Sequence, residues 1–172
     1  MRTRIFVAAV GTALAAVVLV AGSIAASGKP GDRSKSKSQA GPKLEQRALF
    51  GVLTGRKEVD ADGRKGAGDP DGRGSFTATV DGSQLCFGIT VKNVDQPAAA
   101  HIHKGKRKQN GPIVVGLTPP SSGDPGASSG CVEVDPALSG EIVRKPHRYY
   151  ANVHTAAFPG GAVRGQLFHK RR

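Results

Sequence analysis

The sequence predicts an all-β domain, a Greek-key or immunoglobulin-like sandwich of about eight strands with one short helix. Three observations lead there. The 172 residues include 24 glycines and 11 prolines, no tryptophan and a hydrophobic fraction of 38%, a composition of turns and small cores rather than helical bundles. Apolar and polar residues alternate in eight short runs, as half-buried strands require. Turn signals separate those runs at roughly regular spacing, the pattern of β-sandwiches.

Each segment has a local reason. Arg2 and Arg4 precede an apolar run from Ile5 to Val20, and small residues follow through Ala26. Basic, apolar and small-residue regions in that order form a secretory leader. Ser23-Ile24-Ala25 fits the cleavage pattern, with Ile24-Ala25-Ala26 as a less orthodox alternative. Uncut, Phe6 to Ala26 is long enough to span a bilayer. Residues 1–26 are therefore expected to be a signal peptide or an uncleaved N-terminal anchor, which places the rest outside the cytoplasm, secreted or at the cell surface. Residues 27–43 are rich in Ser, Gly, Lys and Gln without apolar periodicity, which predicts a basic disordered linker. The domain is expected over 44–169, with a basic tail at 170–172.

Within the domain, Arg47 to Gly55 reads as the first strand. The polar stretch from Arg56 to Arg73 is too long for a simple hairpin. Ser75–Val80 and Gln84–Lys92 flank Asp81-Gly82, a strong hairpin signal. The fourth strand carries His101, Pro112–Leu117 is the fifth and Gly130–Val134 the sixth. Asp135-Pro136 supplies an N-cap with proline behind it, Leu138 and Ile142 share a face, and Pro146 forbids continuation. A helix is predicted from Pro136 to about Arg144. Tyr149–Thr155 and Ala162–His169, joined across Pro159-Gly160-Gly161, close the set.

The formal charge of +12 directs attention to polyanions. Nucleic acid is disfavoured, because the aromatic residues sit within strands rather than between basic residues. The partner expected is an extracellular protein or a cell-surface polyanion, with a membrane only through an uncut N-terminal segment. No Gly-x-Ser-x-Gly elbow, phosphate-cradling loop or dinucleotide fingerprint occurs, which argues against those enzyme classes. Cys86 and Cys131 are the two cysteines. An even count in an exported chain predicts a disulfide, which leaves no thiol nucleophile.

Three of the five histidines lie in two of the strands. Side chains alternate along a strand, so His101 and His103 share a face while Ala100 and Ile102 share the other. In the later strand Tyr150, Asn152 and His154 oppose Tyr149, Ala151 and Val153. With Ala100, Ile102, Ala151 and Val153 inward, the three imidazoles converge outside the core. His-x-His with a remote third histidine is a candidate site for zinc or copper. Histidines on neighbouring strands can equally bond backbone or one another. No carboxylate stands beside the trio in sequence; Asp95, Glu58 or Asp62 could supply one.

Leu53-Thr54-Gly55 with Glu58, Ala100-His101-Ile102-His103-Lys104-Gly105, Asn110-Gly111-Pro112-Ile113-Val114, Tyr149 to Thr155, and Pro159-Gly160-Gly161-Ala162-Val163-Arg164-Gly165-Gln166-Leu167 together resemble a CHRD (chordin-type) domain. The resemblance covers about Leu44 to Phe168. It implies an extracellular β-sandwich-like module with a binding or scaffolding role and no defined chemistry. One departure is Asp60, where the family usually has proline shortly after the glutamate. His101, His103, His154 and Arg164 are also similar in order to copper–zinc superoxide dismutases, without a bridging histidine or a zinc-loop set. That likeness implies a single copper, with Arg164 attracting an anion. Asn152 and Tyr150, which share a strand face with His154, are candidates to support the ligands or attract an anion.

Overall fold

The computed structural model describes residues 47–170. The leader expected over 1–26, the linker over 27–43 and the last two residues of the basic tail lie outside them. Eight strands and one α-helix follow in chain order: β1 Arg47–Thr54, β2 Arg73–Asp81, β3 Gln84–Lys92, β4 Pro97–Lys104, β5 Ile113–Leu117, β6 Gly126–Glu133, α1 Pro136–Arg144, β7 Tyr149–Thr155 and β8 Val163–Gln166. The all-β expectation with about eight strands and one short helix holds. No helix among the described residues is long and apolar enough to cross a membrane.

All eight strands share one antiparallel sheet in the order β5-β4-β7-β8-β1-β2-β3-β6. The layers of the expected sandwich are thus parts of a single curled sheet, nearly a barrel. Its inner face gathers Leu49, Phe76, Leu85, Ile89, Ile102, Val153 and Val163 into one core. Strand twist brings the two edges together. Ser128 Oγ, on β6, donates to Thr118 O at 2.8 Å, just past the end of β5.

Local chemistry sets the corners. Gly82 turns the β2–β3 hairpin at φ +58, a left-handed conformation that glycine adopts without penalty. The Asp135 carboxylate accepts from Ala137 N and Leu138 N at 2.9 and 3.0 Å, capping α1. Ser139 Oγ, on the helix, donates to Gly82 O at 2.6 Å, pinning α1 to the hairpin. Cys86 and Cys131 stand opposite each other on β3 and β6 and form the predicted disulfide.

Several strand ends shift by a residue or two from the sequence expectation, and two shift by more. β6 begins at Gly126 rather than Gly130, because β3 pairs with it as far as Val91↔Gly126. Its serines carry no apolar alternation, so only the partner strand reveals them. β8 ends at Gln166 rather than His169. Beyond it Leu167 N bonds Tyr149 O and Phe168 N bonds Phe50 O, each at 2.9 Å.

Candidate metal centre

The site grows from the pairing of three adjacent strands. β4 lies against β7 with His101↔Asn152 and His103↔Tyr150 in register. β7 lies against β8 with Asn152↔Arg164 and Tyr150↔Gln166. Ala100, Ile102, Ala151 and Val153 are all buried in the core. Alternation therefore turns His101, His103, Tyr150, Asn152, His154, Arg164 and Gln166 to the opposite face.

That face is covered here rather than open. The loop after β4 folds back over it, and His103, Asn152 and Arg164 are buried. Arg164 fastens the loop, donating to Asn110 Oδ1 at 3.2 Å, Lys106 O at 3.0 Å and Gln109 O at 2.8 Å. Asn110 Nδ2 in turn donates to Val59 O and Asp60 O, both at 3.1 Å. Tyr150, on the strand between them, stacks with the His103 ring at 4.8 Å and an interplanar angle of 7°. The Arg164 guanidinium carbon lies 3.4 Å from the same tyrosine ring centroid, a cation–π contact.

Among the described residues, His101, His103 and His154 place one potential ligand atom each within 4.8 Å of the others. Two of the rings are held by backbone carbonyls, which can only accept. His103 Nδ1 lies 2.9 Å from Gly111 O, and His154 Nδ1 lies 2.9 Å from Pro159 O. Each Nδ1 is therefore the N–H donor, which leaves a lone pair on Nε2 when the ring is neutral. His103 Nε2 is buried without a hydrogen-bond partner. His154 Nε2 lies 3.1 Å from both His101 Nδ1 and Asn152 Oδ1.

Metal–nitrogen bonds of about 2.0–2.1 Å span at most about 4.2 Å between donors of one ion. The widest separation permitted by the 4.8 Å envelope would thus have to close by about 0.6 Å. The 3.1 Å pair already suits two ligands of one ion. Nδ1–H donation to a carbonyl is how ligating imidazoles are usually oriented. Burial lowers the pKa of His101 and of His103, and His154 beside them adds to both shifts. For His103 the bond to Gly111 acts the other way. Neutral rings are the form that binds metal. The residues present fit a transition-metal ion.

Of the three carboxylates weighed from sequence, Glu58 is the one buried beside this cluster. Burial raises its pKa to about 7, against the pull of the Arg164 charge and of hydrogen bonds from Asn152 and Val59. Its Oε1 has no hydrogen-bond partner. The Asn152 amide stands between this carboxyl and His154. Gly161, at φ +135, packs so closely that a Cβ there would collide with the carboxylate. Asp62 instead pairs with Arg64 at 2.8 Å, and Asp95 is exposed. Asp60, at the position where proline was expected, accepts from Asp62 N and Arg64 N at 2.9 and 2.8 Å. A side chain thus shapes that turn.

A family model of the CHRD domain matches residues 49–167, more than half of the chain. The chain belongs to the CHRD domain family. Neither a curated protein nor a solved structure matches it. In this CHRD domain the segments that carried the sequence resemblance meet in one place. His101 and His103, the Asn110-Gly111 turn, Tyr150 to His154, and Pro159 to Gln166 all contribute to the cluster. The carbonyls of Gly111 and Pro159 escaped sequence reasoning as ring-orienting groups, because a backbone acceptor has no sequence signature.

Proposed function

We propose that this CHRD domain is an exported binding or scaffolding module that holds one copper or zinc ion on His101, His103 and His154. What carries the reading is the convergence of three imidazoles, two of them turned by backbone carbonyls so that Nε2 is the available nitrogen. His101 would contribute Nδ1, once the proton that this nitrogen donates to His154 Nε2 has moved to the other ring nitrogen. Such an ion would supply a Lewis-acidic or redox-active centre. The Pro159 carbonyl would orient His154, and Tyr150 would brace His103. Export is supported by the leader-like N-terminus and by the disulfide, which persists in oxidising compartments.

A second reading, a copper- or zinc-dependent enzyme of superoxide-dismutase type, has one observation in its favour. Three imidazoles leave a coordination position for a further ligand, as catalytic centres do. Calorimetric titration of the metal-free protein with Zn(II), and with Cu(II), tests both readings. Saturation at one ion per chain, weakened at least 10-fold in His101→Ala, supports the metal site. Superoxide turnover by the loaded protein, absent from His101→Ala, would favour the enzyme; a loaded, inactive protein favours the binding module.

A further inference from the structure

The outer face of the sheet has two unlike halves. Loops cover it above β4 and β7, where the histidines meet. Across β1, β2 and β3 it is open, with Ala48, Phe50 and Val52 alternating outward on β1 and Thr77 and Thr79 on β2. Phe50 bridges to Phe168, and their ring centroids are 6.1 Å apart. Val52 is 54% and Phe168 44% exposed, high values for large apolar side chains. A cleft of about 490 Å³ adjoins this strip, lined by Lys106, Arg107, His147, Gln166, Leu167 and Phe168. On the other side of Phe50 a groove of about 430 Å³ runs along Ala48, Thr77, Thr79, Cys86 and Gly88.

The cleft end is strongly cationic. Lys104-Gly105-Lys106-Arg107-Lys108 places four cations in five residues, and the Arg164 clasp keeps the loop in place. Among the described residues only Lys104 of that run meets an acid, Glu141, at 3.2 Å. Lys57 is close enough for the Arg107 charge to act with burial in lowering its pKa. Like charges held together without an acid disfavour the unliganded state, and a bound anion relieves that repulsion.

We propose that the cleft and groove bind an extended anionic polysaccharide, with its carboxylate or sulfate groups on Lys106, Arg107 and Lys57 and its sugar rings against Phe168 and Phe50. The flat C–H face of a sugar suits the negative face of an aromatic ring. The apolar side chains lie along strands between two concavities rather than on a protruding loop, a shape for a chain and not for a bilayer. A peptide could not add here as a strand, since β1, β2 and β3 are each paired on both sides. The site is independent of the metal reading, because none of its residues is a candidate ligand.

Affinity electrophoresis and calorimetry of the full chain with polygalacturonate and with dextran sulfate test this, against neutral dextran, phosphatidylglycerol vesicles and duplex DNA. Binding is expected to one or both charged glycans and not to dextran; the preference between them identifies carboxylate or sulfate as the group read. Arg107→Ala and Phe168→Leu, the latter keeping bulk without the ring, are each expected to weaken binding at least 10-fold at an unchanged thermal midpoint. Should Phe168→Leu lose its fold, Lys106→Ala at the cleft and Thr77→Glu in the neutral groove serve instead, both expected to weaken binding. Absence of glycan binding, equal binding to dextran, tighter binding to vesicles or DNA, or loss on Arg107→Ala alone would overturn the proposal.

Discussion

His154 Nε2 lies 3.1 Å from His101 Nδ1, although 53 positions separate the two residues in the chain. The β4–β7 ladder creates that proximity, setting Ala99 opposite His154 and His101 opposite Asn152. The contact is as much a product of the core as of the imidazoles. Ala100 and Ile102 must be inside for His101 and His103 to be out.

Glu58 gives the fold an unusual pH response. Its carboxyl has an ordinary value of 4.5 and is raised to about 7 in the folded chain. Between those values the unfolded state has released the proton and the folded state still holds it, so this group's contribution to stability falls as pH rises. The shift corresponds to about 3 kcal/mol. Glu58→Gln is expected to raise the urea midpoint at pH 8 and to leave it nearly unchanged at pH 4. An equal effect at both pH values would contradict the shift.

Arg164 acts on the loop above the histidines. Arg164→Ala removes three hydrogen bonds to Asn110, Lys106 and Gln109 and the packing on Tyr150. A loss of about 3 kcal/mol is expected, with faster amide exchange in residues 105–111 than in β2 or β3. Uniform exchange through the domain would show that the arginine supports the fold at large and not this loop in particular.

The disulfide ties edge strand β6 to β3. It closes 45 positions of chain, for which the chain-entropy relation gives about 4 kcal/mol. The Cys86→Ser, Cys131→Ser double variant is expected to unfold at a correspondingly lower urea concentration while keeping its metal affinity, because neither cysteine touches the histidines. A parallel loss of metal affinity would mean that the closure of the sheet is needed to assemble the site.

Much of this was legible in the chain. β3 spans Gln84–Lys92 and α1 spans Pro136–Arg144, as alternation, the Asp135 cap and Pro146 dictate. The shared face of the three histidines was legible too, since period-two alternation needs no knowledge of neighbours. Continuity of all eight strands in one sheet was not, because it depends on distant edges meeting. The burial of Glu58 was equally hidden. It follows from Gly161 closing on the carboxyl and Gly68 on the methylene beside it, the first a contact between segments far apart in the chain that no local pattern encodes. The enclosing role of Asn110 and Gly111 likewise rests on a loop returning over a sheet face.

The most direct measurement is the metal content of the full-length protein, purified without chelator or affinity tag and compared with His103→Ala and His154→Ala. Close to one copper or zinc ion per chain is expected in the natural protein and far less in either variant, with all three folded. A fully folded natural protein that carries no metal, and takes up none from a stoichiometric supply of either ion, would contradict it.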